Sequence, residues 1–131
     1  MRIGFVCGAF DLLHAGHIHL FKQAKQKCDY LVVGLHIDPS IERHDKNMPV
    51  ESILERQIKI NACKYVDQII VYEAESDLSV LFNYYKIDVR FLGSDYKNTH
   101  KDITAGQAVP IEYIDSIDTH TSTIRKIIKK S

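Results

Sequence analysis

The sequence predicts an α/β sandwich in three layers, a central parallel sheet of about five strands with helices on both faces. Three observations carry this. Short apolar runs alternate with amphipathic stretches of helical length, the βαβ pattern of a parallel sheet. Tyr30–Ile37 is apolar almost without a break, as in a strand buried on both faces. The chain has 131 residues, 45% hydrophobic and 26% charged, which suits one domain with a single core over residues 1–131.

The elements follow in order. Arg2–Cys7 reads as the first strand. Gly16–Lys27 reads as a helix with Ile18, Leu20, Phe21 and Ala24 turned inward. Tyr30–Ile37 is the second strand. Glu51–Cys63 is a helix begun just after Pro49, with Ile53, Leu54, Ile58, Ile60 and Ala62 as its apolar face. Gln68–Tyr72 is a short strand. Ser76 offers a helix cap, and Leu78, Leu81, Phe82 and Tyr85 follow at helical spacing. Asp88–Leu92 and Val109–Ile114 are strands, and Thr121–Lys130 is a closing helix on Ile124, Ile127 and Ile128. Ligands of such sheets bind beyond the carboxyl ends of the strands. That rim should gather three segments: 8–17, 38–50 and 93–104.

The charge balance is even, 17 basic against 17 acidic residues, which argues against binding nucleic acid through a strongly basic surface. The three cysteines, Cys7, Cys28 and Cys63, form no C-x-x-C pair, so neither a zinc site nor a disulfide framework is expected. Their odd number fits reduced thiols in a cytoplasmic protein. No run of about 18 apolar residues is present, so no membrane span is expected, and the first strand leaves no room for a signal peptide.

Chemistry concentrates at the first strand-to-helix junction, Cys7-Gly8-Ala9-Phe10-Asp11-Leu12-Leu13-His14-Ala15-Gly16-His17. His14 and His17 are three residues apart at the start of a helix, so both imidazoles share one face. A helix N-terminus carries free N–H groups and partial positive charge, and it favours phosphate. The simplest reading is a nucleoside triphosphate site with two histidine donors. An isolated His-x-x-His is weak evidence, and a pair of structural histidines is the competing reading.

The wider pattern decides between them. Gly8-Ala9-Phe10-Asp11 followed by His14-Ala15-Gly16-His17 resembles the G-x-F-D-x-x-H-x-G-H signature of the cytidylyltransferase-like nucleotidyltransferases. The resemblance runs on through Glu55-Arg56, Tyr65-Val66-Asp67, the turn Leu92-Gly93-Ser94-Asp95-Tyr96 and the hydroxyl run Thr121-Ser122-Thr123. In length and layout the chain is similar to the small glycerol-3-phosphate cytidylyltransferases of that family. The resemblance implies a Rossmann-like nucleotidyltransferase fold. It implies transfer of CMP from CTP to a phosphorylated alcohol with release of pyrophosphate, Mg²⁺ arriving as the metal–nucleotide complex. It also implies a homodimer, for which exposed apolar residues near Tyr84–Tyr85 offer a surface. The same G-D-Y-K-like stretch is similar to heptose-phosphate adenylyltransferases, so ATP with a sugar phosphate is the alternative, and a non-catalytic nucleotide-binding module is a third reading.

The candidate residues follow. His14 and His17 are expected to stabilise the transferring phosphate. Gly8, Ala9, Phe10, Asp11 and Gly16 form the surrounding turn and are expected to bind the nucleotide, with Phe10 also in the core and Asp11 either capping the turn or orienting a metal. Lys46, in the polar loop that begins at Asp38, is expected to meet phosphate, with Asp38 beside it as an acceptor contact; Arg43 and His44 are weaker candidates. Arg56 is either a second catalytic cation or the ion-pair partner of Glu55 or Glu51. Asp95 and Tyr96 are expected to contact nucleotide and acceptor, with Lys97, His100 and Lys101 nearby. Thr121, Ser122 and Thr123, three hydroxyls ahead of a helix N-terminus, suit the triphosphate. Two departures stand out: Ala9 replaces the family's threonine, and Ser116 replaces the arginine that precedes the hydroxyl run, a role His120 is placed to take over in part.

Overall fold

A computed structural model describes residues 1–94 and 109–115. Five strands, β1 (Ile3–Gly8), β2 (Tyr30–His36), β3 (Gln68–Tyr72), β4 (Val89–Gly93) and β5 (Ile111–Ile114), form one sheet in the order β3-β2-β1-β4-β5. Every pairing is parallel. The helices are α1 (Ala15–Gln26), α2 (Ile53–Asn61) and α3 (Asp77–Tyr84). After β1 the chain builds outward through β2 to β3, then returns to lay β4 on the other side of β1. The order reverses there, between β1 and β4, and in open parallel sheets such a switch point opens a crevice at the carboxyl edge.

Both sheet faces are buried. On one, Val6, Leu31, Val33, Leu35, Val89 and Phe91 pack against Phe21 and Ala24 of α1 and Ile60 of α2. On the other, Phe5, Val32, Ile70 and Tyr72 meet Leu78 and Phe82 of α3, with Phe5 and Phe82 edge to face at 4.9 Å. The three layers are those expected. Gly34 permits the packing: a Cβ there would lie 2.5 Å from Cζ of Phe5. Carboxylates close the amino edge. Asp29 accepts from Arg2 N–H, Asp88 from Ile3 N–H, and Asp67 from both Leu31 N–H and Lys25.

Strand and helix placements within the described residues agree with the sequence reading to within a residue or two. The start of α2 falls at Ile53 because Ser52 caps it through a reciprocal pair with Glu55. The inward face of α2 is only partly the one expected: Ile53 and Ile60 pack on the core, but Arg56 joins them there while Leu54, Ile58 and Ala62 are exposed. Ser76 precedes α3 without a side-chain cap bond; Asp77 accepts from Ala74 N–H instead. A short 3₁₀ turn, Pro39–Ile41, lies in the loop after β2. Of the aromatic pair at the end of α3, Tyr84 is exposed and Tyr85 half-buried. The closing helix lies outside the described residues. All three cysteines are free thiols. Among the described residues no helix is long and apolar enough to cross a membrane.

Candidate active site

The turn from β1 into α1 is held in an unusual conformation. Phe10 and Leu12 have positive φ, 47° and 50°, which costs a non-glycine residue roughly 1 kcal/mol or more. A reciprocal clamp holds it. The two carboxylate oxygens of Asp11 accept from Val50 N–H at 2.8 Å and Glu51 N–H at 2.9 Å, while the Glu51 carboxylate accepts from Leu12 N–H at 2.7 Å. Lys59 pairs with the other oxygen of Glu51. Burial works against ionised Asp11, but the backbone N–H donors of Val50 and Glu51 and the charge of Arg56 outweigh it and hold its carboxyl below the usual range.

That turn delivers the two histidines. His14 is the N-cap of α1, and its Nδ1 accepts from Gly16 N–H at 3.0 Å. His17 Nδ1 accepts in return from His14 N–H at 3.2 Å. The rings stack at 3.9 Å between centroids, and Phe10 meets His17 edge-on at 5.4 Å. A ring nitrogen that accepts bears no proton, so the hydrogen-bond pattern assigns each neutral imidazole its N–H at Nε2. The backbone thus fixes both rings as Nε2–H donors. Burial, then the neighbouring His14, push the His17 pKa down to about 4, against the opposing effect of Asp11. Gly16 is required by this stack: a Cβ there would lie 2.8 Å from Cε1 of His14.

A cleft of about 470 Å³ opens at the carboxyl edge over the switch point. Gly8, Ala9, Phe10, Gly16 and His17 line it from the first turn, and Lys46 lines it from the loop after β2. Arg43, a weaker candidate, joins Lys46 there. An added Cβ at Gly8 would make only ordinary contact with Phe10 at 3.5 Å, so this glycine keeps the cleft open rather than relieving a clash.

Other candidates do different work. Arg56 is buried and gives its N–H groups to four carbonyls: Glu51 at 3.2 Å, Ala9 at 3.1 Å, His36 at 2.8 Å and Ile37 at 2.7 Å. It ties the carboxyl ends of β1 and β2 to the start of α2, and neither ion pair expected for it forms: Glu55 belongs to the Ser52 cap and Glu51 pairs with Lys59. Asp38 caps the 3₁₀ turn by accepting from Ser40 N–H at 3.0 Å and Ser40 O–H. Neither residue lines the cleft, and nor do His14 and Asp11, which stand behind the lining residues Phe10, Gly16 and His17. Asp95, Tyr96, Lys97, His100, Lys101, Ser116, His120 and the run Thr121-Ser122-Thr123 lie outside the described residues.

The cleft also holds residues the sequence reading missed. His36, Tyr72, Glu75 and Arg90 line its far side with Cys7. One signal was legible: Arg90 is a lone charge inside an otherwise apolar strand, Val-Arg-Phe-Leu. It is buried, and its guanidinium donates to Cys7 Sγ at 3.0 Å. Burial pushes the Cys7 thiol up despite Arg90, so it is an unreactive wall rather than a nucleophile. On the opposite rim, the His19 ring lies 3.0 Å from the carbonyl of Asp115.

Residues 5–126 match the Cytidylyltransferase-like family, nearly the whole chain. The chain belongs to that family. Its relatives include the bifunctional protein HldE of Paramagnetospirillum magneticum, 35% identical over 96% of this chain and 27% of that protein. They also include the ethanolamine-phosphate cytidylyltransferase of Arabidopsis thaliana, 32% identical over 97% of this chain and 32% of that protein. The chain thus spans about a third or less of the length of the curated relatives it matches. Among solved structures, a lipopolysaccharide core biosynthesis protein of Thermoplasma volcanium superposes with a TM-score of 0.74 at 31% identity, covering 90% of this chain and 99% of that one. Pantothenate synthetase of Thermus thermophilus, at 15% identity and a TM-score of 0.54 over 96% of this chain and 64% of that one, shares the fold alone. The structure is the α/β nucleotidyltransferase fold.

Proposed function

We propose that this chain transfers a nucleoside monophosphate from a triphosphate to a phosphorylated alcohol. CTP is the donor we favour and glycerol 3-phosphate the first acceptor to test. An oxygen of the acceptor phosphate attacks the α-phosphorus, the bond from that phosphorus to the β-bridging oxygen breaks, and pyrophosphate leaves. The attacking phosphate is already ionised near neutral pH, so the protein needs no strong general base. Its tasks are to align two anions and stabilise charge on the α-phosphate and the leaving group.

The observation that carries this reading is the histidine pair, fixed by its own backbone as two Nε2–H donors at a helix N-terminus. Lys46 and Arg43, which line the cleft together with His17, supply positive charge to the anions, and His14 stacks behind His17 at its edge. Arg56 and Asp11 act at one remove, holding the turn that presents the histidines.

Mg²⁺ belongs to this proposal as the partner of the triphosphate. Asp11 fits a metal poorly, because each carboxylate oxygen already accepts a backbone N–H, and the described residues contain no group of three His, Cys, Asp or Glu placed for a metal. Mg²⁺ is commonly held largely by substrate phosphates and water, and it supplies charge neutralisation there.

A second reading, adenylyl transfer from ATP to a sugar phosphate, draws support from the HldE relatives, which match nearly as much of this chain as the ethanolamine-phosphate cytidylyltransferase does. The test is pyrophosphate release, crossing CTP and ATP against phosphorylated acceptors. Turnover with CTP supports the first reading, and turnover with ATP alone supports the second. A non-catalytic module would bind nucleotide without turnover, and His14→Ala would then change binding alone.

A further inference from the structure

The far side of the cleft carries a set of polar groups that phosphate chemistry does not use. Cys7, His36, Tyr72 and Arg90 lie on the sheet face that α3 covers, away from α1 and its histidines. His36, Tyr72 and Arg90 are each under 5% exposed. The His36 ring stacks on Tyr72 at 4.6 Å and is held 2.9 Å from the Glu73 carbonyl. Glu75 follows β3 onto the same wall, its backbone N–H tied to Glu42 at 3.0 Å. The guanidinium, phenol and carboxylate thus sit on ordered supports at the end of the cleft remote from α1.

Resting on the nucleotidyl-transfer reading, we propose that this wall selects the acceptor, and that the acceptor is a polyhydroxylated phosphomonoester rather than an amino-alcohol phosphate. A hydroxyl both donates and accepts, so a hydroxyl-rich group needs donors and acceptors side by side. Arg90 supplies only donors, Glu75 only acceptors, and Tyr72 either. A quaternary or primary ammonium needs carboxylates and aromatic faces without competing cations. Here three cations, Arg43, Lys46 and Arg90, line the cleft against two carboxylates among the described residues, Glu75 on this wall and Asp115 on the opposite rim. Two like charges about 6 Å apart at an effective dielectric of about 20 weaken binding on the order of 100-fold, of which Glu75 offsets part. The polyhydroxyl acceptor is therefore preferred by at least about tenfold.

The test measures kcat and KM for glycerol 3-phosphate, glucose 1-phosphate, phosphoethanolamine and phosphocholine with the full chain, alongside nucleotide affinity by calorimetry. The expected result is at least about tenfold higher kcat/KM for one of the two hydroxylated acceptors than for either amino alcohol. Glu75→Gln, at a half-buried position that tolerates an isostere, should raise the KM for that acceptor about tenfold and leave kcat and nucleotide affinity within about threefold. Arg90→Lys should do the same, with a melting curve to confirm folding. Turnover of phosphoethanolamine or phosphocholine as efficient as that of the hydroxylated pair would overturn the inference and leave nucleotidyl transfer intact. So would an unchanged acceptor KM in Glu75→Gln. Bound nucleotide without pyrophosphate from any acceptor would overturn both.

Discussion

Arg56 gives the sharpest quantitative prediction, because the structure makes it a clamp rather than a contact for substrate. Its guanidinium donates to four carbonyls on three segments, at 2.7 to 3.2 Å, and the residue is 3% exposed. Arg56→Met removes all four donors. Charged hydrogen bonds contribute about 1.5 kcal/mol or more each, so the simple sum is about 6 kcal/mol. Two of the four, to Ala9 and Ile37, are only part-buried, where water can replace the donor. The expected loss is therefore about 3–5 kcal/mol, somewhat below the simple sum, as befits carbonyls that water can partly satisfy. A domain of this size has about 5–15 kcal/mol in all, so the variant should be folded but marginal. Arg56→Lys keeps the charge but has no fork to span three segments, and should lose roughly half as much. Urea unfolding followed by circular dichroism reads both values, with pyrophosphate release in parallel. An Arg56→Met protein within about 1 kcal/mol of the parent would refute the clamp. If turnover had collapsed at that unchanged stability, the arginine would belong on the substrate.

Other perturbations act on the histidine pair. His14→Ala should lower kcat by about 10²–10³ through loss of a donor to the transferring phosphate, and stability by about 1 kcal/mol through loss of the α1 cap; equal turnover of variant and parent would remove His14 from the chemistry. Gly16→Ala should push the His14 ring from its stack and cost roughly tenfold in kcat with little change in melting temperature, and unaltered kinetics would show that the stack is not needed. With its pKa pushed down to about 4, His17 should remain the neutral Nε2–H form from pH 8 to about 5, which nitrogen NMR of the ring reads directly. The unfolded chain takes up that proton near pH 6.5 while the folded chain refuses it, so this contribution to stability is whole above about pH 6.5 and lost as pH falls toward about 4. A His17 midpoint near 6.5 would show that the ring is neither desolvated nor held.

The layered fold was legible because its signals are local. Apolar runs of strand length, the unbroken run in β2 and the spacing of α1 follow from what a side chain needs on either side of a parallel sheet, and the residues that state it are contiguous. The histidine pair was legible for the same reason. His14 and His17 are neighbours in the chain, and the small residues between them are part of the same short run. What stacks the rings, however, is the reciprocal cap of an extended His14 and not the shared helix face expected.

What only the tertiary structure decided depends on residues far apart in sequence. Spacing alone could not tell that α2 buries Arg56 and exposes Leu54 and Ile58, because the carbonyls that attract the guanidinium belong to the ends of β1 and β2. Asp11 could have capped a turn or oriented a metal. The backbone of Val50 and Glu51, some forty residues on, makes it a clamp on the turn. The wall of Cys7, Tyr72 and Arg90 exists only once β1, β3 and β4 are laid in one sheet with β1 inside, since each strand contributes a single polar side chain to it. A local pattern states which face a residue occupies, but which charges meet across that face is fixed by strand order, which the chain reaches only on folding.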